Sequence, residues 1–186
     1  LNLADAGGLS RGVYRIINYG GALTDNGLVL ASQPSRFLTN QMLISTATAG
    51  EVNLIIGASS SFGLEFWDGP NTLGNGQVDG GSATWNTTTT NWTAVDGAVN
   101  LPWQQGFAVF QGSAGTVTLG APIAFEGMQF RTNGYLVEAG GFALTAAPDT
   151  IIRVDPAVTA TINAPITGPA TLTKLAKDDP VVYQVL

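Results

Sequence analysis

Short apolar runs separated by turn residues recur along most of this chain. Between Trp103 and Lys174 each run is about four to six residues long and rich in β-branched and aromatic side chains. Nearly every gap between the runs contains Gly, Pro, Asn or Asp. This pattern predicts many short strands joined by turns, and no helical period of about 3.6 residues competes with it. The predicted strands in this stretch are FAVF, TVTL, MQF, YLVEA, FALTA, IIRV, ATI and TLTK.

The same pattern extends over the first 64 residues. VYRIINY, which begins at Val13, alternates between the two faces expected of a strand, and the Asn26-Gly27 pair permits the positive φ angles of a tight turn. At the other end, VVYQVL is a predicted final strand. Further predicted strands are LNL, LVLA, MLIST, VNLIIGA and LEFW, with a polar turn at SSSFG.

The spacing of the runs favours a repeating architecture. Three successive runs span roughly 20 to 30 residues, which is the length of one coil of a parallel β-helix with three strands and three turns. Stacked coils place like residues over like residues in one continuous core. An antiparallel sandwich would show more two-residue hairpin turns and a cleaner inside–outside alternation. We therefore predict an all-β fold, a parallel β-helix (β-solenoid) fragment that forms a single domain over residues 1–186.

Residues 68–106 interrupt this pattern. Gly, Asn, Asp and Thr dominate the segment, apolar runs almost vanish, and Trp85, Trp92 and Trp103 punctuate it. Because a structureless loop of this length is improbable in a compact domain, we predict one long excursion that leaves the ladder and folds back onto it. Its three Trp residues either anchor the excursion by packing, which is the favoured interpretation, or stack on sugar rings as a ligand-binding row.

Charge excludes one class of partner. Charged residues make up 11% of the chain, against roughly 25% in a typical soluble domain. The net charge is −6, and no Lys or Arg occurs between Arg36 and Arg131. A phosphate backbone would find no basic groove, so nucleic-acid binding is excluded. No run reaches the roughly 18 apolar residues of a membrane helix, so we predict that this segment is not embedded in a membrane.

The chain contains no Cys and no His. Disulfides, thiolate metal sites and thiol nucleophiles are therefore excluded, together with Ser-His-Asp and Cys-His catalysis. An enzyme would depend on scattered carboxylates. Glu65 and Asp68 lie at i and i+3 of a predicted strand and so point to opposite faces, which disfavours a catalytic pair. Arg153 and Asp155 share a face and predict a surface ion pair. We predict no enzyme activity, no catalytic residue, no metal site and no cofactor.

Several segments in order resemble a known family. They are GVYRIINYGGALTDNGLVL, VNLIIG, LEFWDG, GGSATWNTTTTNWT, PWQQGFAVFQGSAGTVTL, GMQFRTNGYLVEAGGFALTA and ATINAPITGPATLTK. Together they resemble the passenger region of Gram-negative autotransporters, specifically the autotransporter-associated β-strand repeats. The chain departs from that pattern after ITGPATLTK, where LAKDDP places Asp178, Asp179 and Pro180 in place of the usual Gly-rich residues. We therefore expect either an irregular last coil or a fragment that ends in non-native sequence.

The resemblance implies a pertactin-like, right-handed β-helix. It implies a structural passenger segment, a stiff stalk or platform with an adhesin or virulence role, at the cell surface or secreted. It also implies a translocator β-barrel as a partner on the same polypeptide. The alternative is an adhesin module that binds a host glycan or host surface protein through residues 68–106. A carbohydrate-active β-helix enzyme is the third interpretation.

Because the first residue is Leu, the N-terminus is expected to be a cut or processed end.

Overall fold

The computed structural model describes residues 1–3, 9–57 and 63–169, together with the backbone of 172–175 and 182–183. The described chain is all-β, as predicted, and its helical content is one short 3-10 turn at Thr39–Gln41. It divides into two compact units, Leu1–Gly63 and Leu64–Leu186. The predicted turn at SSSFG and the predicted irregular coil at LAKDDP lie largely outside the described residues, as does the end of VVYQVL.

The first unit contains a three-stranded antiparallel sheet. Its strands are β1 (Gly12–Asn18), β2 (Met42–Ser45) and β3 (Glu51–Ile56), with β3 in the centre. One face buries Met42, Leu54 and Ile56 against partly buried apolar neighbours. The register shifts between Arg15 and Ile17, so the strict alternation predicted for VYRIINY breaks there. The antiparallel pairing differs from the parallel pairing expected from the first residue onward.

The second unit contains two sheets built mainly from parallel strands. The eight-stranded sheet contains β4 (Leu64–Trp67), β6 (Trp92–Thr93), β7 (Asn100–Leu101), β8 (Phe107–Phe110), β10 (Ile123–Phe130), β12 (Leu144–Val154), β14 (Ile166–Thr167) and β15 (Leu172–Leu175). The five-stranded sheet contains β5 (Ala83–Trp85), β9 (Thr116–Leu119), β11 (Tyr135–Glu138), β13 (Ala160–Ile162) and β16 (Val182–Tyr183). Strands β6 and β7 pair antiparallel at one edge of the larger sheet.

The parallel strands pair with a recurring offset. Gly127 of β10 pairs with Phe107 of β8 on one side and with Ile151 of β12 on the other. In the smaller sheet, Leu136 of β11 pairs with Thr116 before it and Thr161 after it. From β8 onward, each of these strands therefore lies beside the equivalent strand roughly 20 to 25 residues further along the chain, which is a repeat length typical of stacked units. The offset is longer for β4 and β5, because all or part of residues 68–106 lies between them and their partners β8 and β9. The apolar runs predicted between Trp103 and Lys174 fall wholly or partly within observed strands, but the boundaries differ. Strand β12 joins FALTA and IIRV across the predicted turn between them, β10 begins five residues before MQF, and β14 was not predicted.

Equivalent side chains stack in the core between these strands. The rings of Phe110 and Phe130 lie parallel with centroids 4.8 Å apart, and Val117 and Val137 pair directly across the smaller sheet. All four side chains are buried. Burying such a side chain contributes about 1.5 to 3 kcal/mol. Glycine at position 127 leaves room for the Phe107 ring, because a Cβ there would lie 2.4 Å from the ring.

Candidate functional site

The three Trp residues of residues 68–106, for which packing was the favoured interpretation and ligand binding the alternative, lie inside the second unit. Trp85 ends β5, Trp92 begins β6 and Trp103 follows β7, and each side chain is at most 3% exposed. They pack with Trp67 of β4 and with Phe110 of β8. We call these five rings the tryptophan cluster. The chain contains four Trp residues, so all of them belong to it.

The rings of the cluster meet at close distances and steep angles. Trp92 is central: its ring centroid lies 4.4 Å from that of Trp103, 4.9 Å from that of Trp85 and 5.1 Å from that of Trp67. Tilted and edge-to-face pairs of this kind are the favoured arrangement of aromatic rings, worth about 0.5 to 1.5 kcal/mol beyond area burial. In this arrangement no ring presents an open face on which a sugar could stack, which favours the packing interpretation.

Two of the four indole N–H groups have hydrogen-bond partners. Trp67 Nε1 donates to the carbonyl of Gly81 and Trp103 Nε1 to that of Ala124, both at 2.9 Å. Trp85 Nε1 and Trp92 Nε1 are buried and have no partner among the described residues. A buried donor without a partner costs about 1 to 3 kcal/mol, so ring packing has to outweigh this loss.

Hydrogen bonds of Asp and Asn side chains hold residues 68–106 together. Asp68 is fully buried, and its carboxylate accepts hydrogen bonds from the Asp79 N–H and from Asn100 Nδ2, each at 2.8 Å. The Asp79 carboxylate accepts from Asn71 Nδ2 at 2.6 Å and Asn75 Nδ2 at 2.7 Å. The Asn and Asp residues that suggested a loop in the sequence therefore form a connected network that holds the loop in one conformation.

Asn91 connects two separate strands. Its side chain is 2% exposed, and Nδ2 donates to the carbonyl of Gly69 at 3.1 Å and to that of Thr84 at 3.2 Å. The N–H of Asp68 donates to the Asn91 carbonyl at 3.0 Å. Asn91 therefore holds the start of β6 against the end of β4 and against β5.

Glu65 is a buried carboxylate in β4. Its side chain is 2% exposed, and its two oxygens accept hydrogen bonds from the N–H groups of Gln104, at 2.7 Å, and Gly106, at 2.9 Å. Burial raises the pKa of Glu65 to about 7; the two N–H donors oppose that rise, and the charge of Glu126 adds to it. Glu65 therefore fastens the returning end of residues 68–106 to β4.

Glu65 and Asp68 do not share a hydrogen-bond partner. Glu65 binds the turn at Gln104 and Gly106, whereas Asp68 binds Asp79 and Asn100. Both carboxylates serve to hold backbone and amide groups. The geometry offers no observation that favours a paired acid–base role for them.

Arg153 and Asp155 belong to a ladder of polar side chains. Asp155 accepts a hydrogen bond from Gln129 Nε2 at 2.6 Å and lies 3.5 Å from Arg131 Nε and 3.9 Å from Arg153 Nε. Arg131 Nη1 also donates to Gln111 Oε1 at 2.6 Å. The predicted ion pair is therefore present, but it is partly buried and extends across neighbouring strands.

Within the described ranges, no group of three or more His, Cys, Asp or Glu residues is placed to hold a metal ion. In the same part of the chain, no helix is both long enough and apolar enough to span a membrane.

Sequence reasoning missed a cavity in the first unit. It has a volume of about 380 Å³, and the turn at Asp25, Asn26 and Gly27 forms part of its wall. The sequence signal was a pair of apolar residues, Leu23 and Leu28, on either side of the polar turn. In the structure these side chains are 39% and 41% exposed. The remaining lining residues are Ile17, Leu23, Thr24, Leu28, Thr46 and Val52.

Comparison with known proteins gives one relative that bears on function. The chain is 40% identical over 189 residues to the adhesin BmaC autotransporter of Brucella suis biovar 1 (strain 1330). The similarity covers 94% of this chain but 5% of the relative, so the chain spans a small fraction of that protein's length. No protein-family model and no solved structure matches the chain.

Proposed function

We propose that this chain is a segment of the passenger region of an autotransporter adhesin. The main observation in support of this proposal is the 40% identity to one such adhesin over 94% of the chain. The repeating parallel pairing of the second unit supports it, because a stack of short parallel strands with low charge suits an extended surface passenger.

The architecture that we propose for residues 64–186 is a right-handed parallel β-helix. The support is the recurring offset in both sheets, together with the passage of the chain from one sheet to the other after most strands. Parallel crossover connections are right-handed in about 98% of cases, which is the reason for the proposed hand. The repeat resembles the autotransporter-associated β-strand repeat.

The role that we propose is structural. Stacked strands with a continuous aromatic and aliphatic core form a stiff platform that displays other parts of the polypeptide. The location proposed is the bacterial cell surface, or the medium after release. The partner is a translocator β-barrel of the same polypeptide. A contribution to virulence follows from this role, and no enzyme activity is proposed.

Protease shaving of intact cells that express the full-length parent tests this proposal. An antibody raised against residues 68–106 detects the segment, and a periplasmic protein serves as the control for membrane integrity. We expect the signal to disappear while the periplasmic control is retained. A segment that is degraded only after the outer membrane is opened would refute surface display.

The second candidate function is direct adhesion through residues 68–106. The relative is named as an adhesin, and this segment exposes two large apolar side chains, Leu73 at 80% and Val99 at 55%. Binding residues commonly lie on loops held by a rigid scaffold. The ligand would be a host glycan or a host surface protein.

A binding experiment distinguishes adhesion through exposed Leu73 and Val99 from adhesion through the Trp residues. The purified chain is tested against a glycan panel and host cells, with Leu73→Ala/Val99→Ala as one variant and Trp92→Phe as the other. Loss of binding in the first variant with retention in the second supports adhesion through the exposed surface. Loss in the second alone, with the fold intact, supports the Trp residues, and the absence of binding by the unchanged chain refutes adhesion by this segment.

A further inference from the structure

We propose that β6 and β7, with the tryptophan cluster, form a cap that ends the parallel stack at its β4 edge and prevents a second copy of this chain from pairing there. We call residues 92–101 the closing hairpin. The inference rests on the proposed parallel architecture of the second unit, but not on surface display. Unpaired strand edges recruit other strands, so proteins protect them.

The change in strand direction shows where the parallel stack ends. Strands β8 and β10 each have parallel neighbours on both sides, whereas β4 has parallel β8 on one side and antiparallel β6 on the other. Strand β6 then pairs antiparallel with β7, the last strand of the sheet at that edge. The edge is therefore occupied by the chain itself, and by strands of only two residues.

The closing hairpin offers few backbone groups to another strand. The Thr93 hydroxyl donates to the carbonyl of Val99 at 2.9 Å, so that acceptor is already used. Pro102 follows β7 directly and has no N–H to donate. A short edge with an occupied acceptor and a proline is a poor template for pairing.

The edge of the smaller sheet is protected in a similar way. Its last strand at this end is β5 (Ala83–Trp85), which pairs with β9. The carbonyl of Thr84 in β5 accepts a hydrogen bond from the buried side chain of Asn91, immediately before the closing hairpin. One segment thus contributes to closing both sheets.

The tryptophan cluster fills the core at the same end. Phe130 stacks on Phe110, and Phe110 contacts Trp67, Trp85 and Trp92. The aromatic core therefore continues from the parallel strands into the closing hairpin. Two buried carboxylates fasten this arrangement, because Asp68 binds the Asn100 amide and Glu65 binds the turn after the hairpin.

The test compares the association state of four forms of the full 186-residue chain by sedimentation velocity at increasing concentration. The unchanged chain is expected to remain monomeric. Trp92→Ala opens the cap, and Phe125→Ala is the matched control, since it removes a buried aromatic side chain from the interior of the stack. The double variant Thr93→Val/Pro102→Ala frees the Val99 carbonyl and adds a backbone N–H at position 102. It leaves the tryptophan cluster unchanged.

We expect Trp92→Ala and the double variant to form dimers or larger species as concentration rises, while Phe125→Ala loses stability but remains monomeric. Hydrogen exchange should show protection of β4 or β7 amides upon association. If Trp92→Ala does not fold, the association state of Thr93→Val/Pro102→Ala tests the proposal alone. A folded double variant that stays monomeric overturns the proposal, as does equal association of Phe125→Ala or association of the unchanged chain through this edge.

This outcome is independent of the cell-shaving result. Protection from protease on intact cells would refute the proposed surface function and leave the cap in place. Monomeric variants would refute the cap and leave surface display untouched.

Discussion

Replacing Glu65 with Gln should remove a pH dependence of stability. The pKa of Glu65 in the folded protein is about 7, against an ordinary value of 4.5, because burial disfavours the charged form. A raised pKa means that the folded state binds the proton more tightly than the unfolded state does. The stabilisation is therefore fully present below pH 4.5 and is lost as the pH rises through about 7.

The size of this effect follows from the shift in pKa. Each pKa unit corresponds to about 1.4 kcal/mol, so the free energy of unfolding should fall by about 3 kcal/mol between pH 4.5 and pH 8 through Glu65. Gln cannot ionise, so this decrease should vanish in Glu65→Gln. Gln offers one acceptor oxygen and a donor-only NH2 to the two N–H groups of Gln104 and Gly106, so one of them loses its acceptor. The variant should therefore be about 1 to 3 kcal/mol less stable than the wild type near pH 5, and the difference should shrink as the pH rises towards 8.

Urea unfolding at several pH values, followed by Trp fluorescence, measures this difference. The signal is well placed because all four Trp residues lie in the tryptophan cluster. Glu126→Gln is the matched control: it makes the same chemical change at an exposed side chain and should retain most of the pH dependence. An equal pH slope in the wild type and Glu65→Gln would refute the reasoning.

Two further variants test core packing. Trp92→Ala should lower the free energy of unfolding by about 3 to 5 kcal/mol in urea titrations, while Leu73→Ala, at an exposed side chain, should change it by less than about 0.5 kcal/mol. Gly127→Ala should cost about 1 to 3 kcal/mol, because the added Cβ meets the Phe107 ring. Thermal unfolding of Phe107→Leu/Gly127→Ala should show partial recovery relative to Gly127→Ala alone; no recovery would place the clash elsewhere.

The interpretation of the Trp residues shows where sequence reasoning stops. An indole that stacks on a sugar and one that packs in a core have the same local sequence pattern, since both need only a large flat ring. Burial of Trp85 and Trp92 depends on strands β4 and β8, which are distant along the chain. The same is true of Glu65, whose two partners lie about forty residues away.

The sequence predicted the ion pair between Arg153 and Asp155 but not the other partners of Asp155. Their shared face follows from the period of two along a strand, so the contact could be predicted. The roles of Gln129 and Arg131 could not, because these residues reach Asp155 from the neighbouring strand and its following turn. Stacking of equivalent positions, which a sequence shows only when the register is known, brings them together.

The amino-acid pattern was sufficient to predict the all-β class and the positions of most strands between Phe107 and Ile162. Those features are local: β-branched and aromatic runs form strands, and Gly, Asn and Pro between them form turns. It also excluded chemistry that needs Cys or His. The partner and direction of each strand depend on the folded protein, since parallel and antiparallel pairing satisfy the same backbone groups. Pairing is a long-range choice set by core packing. It made the first unit antiparallel, and it placed the short strands β5, β6 and β7 of residues 68–106 around buried indoles.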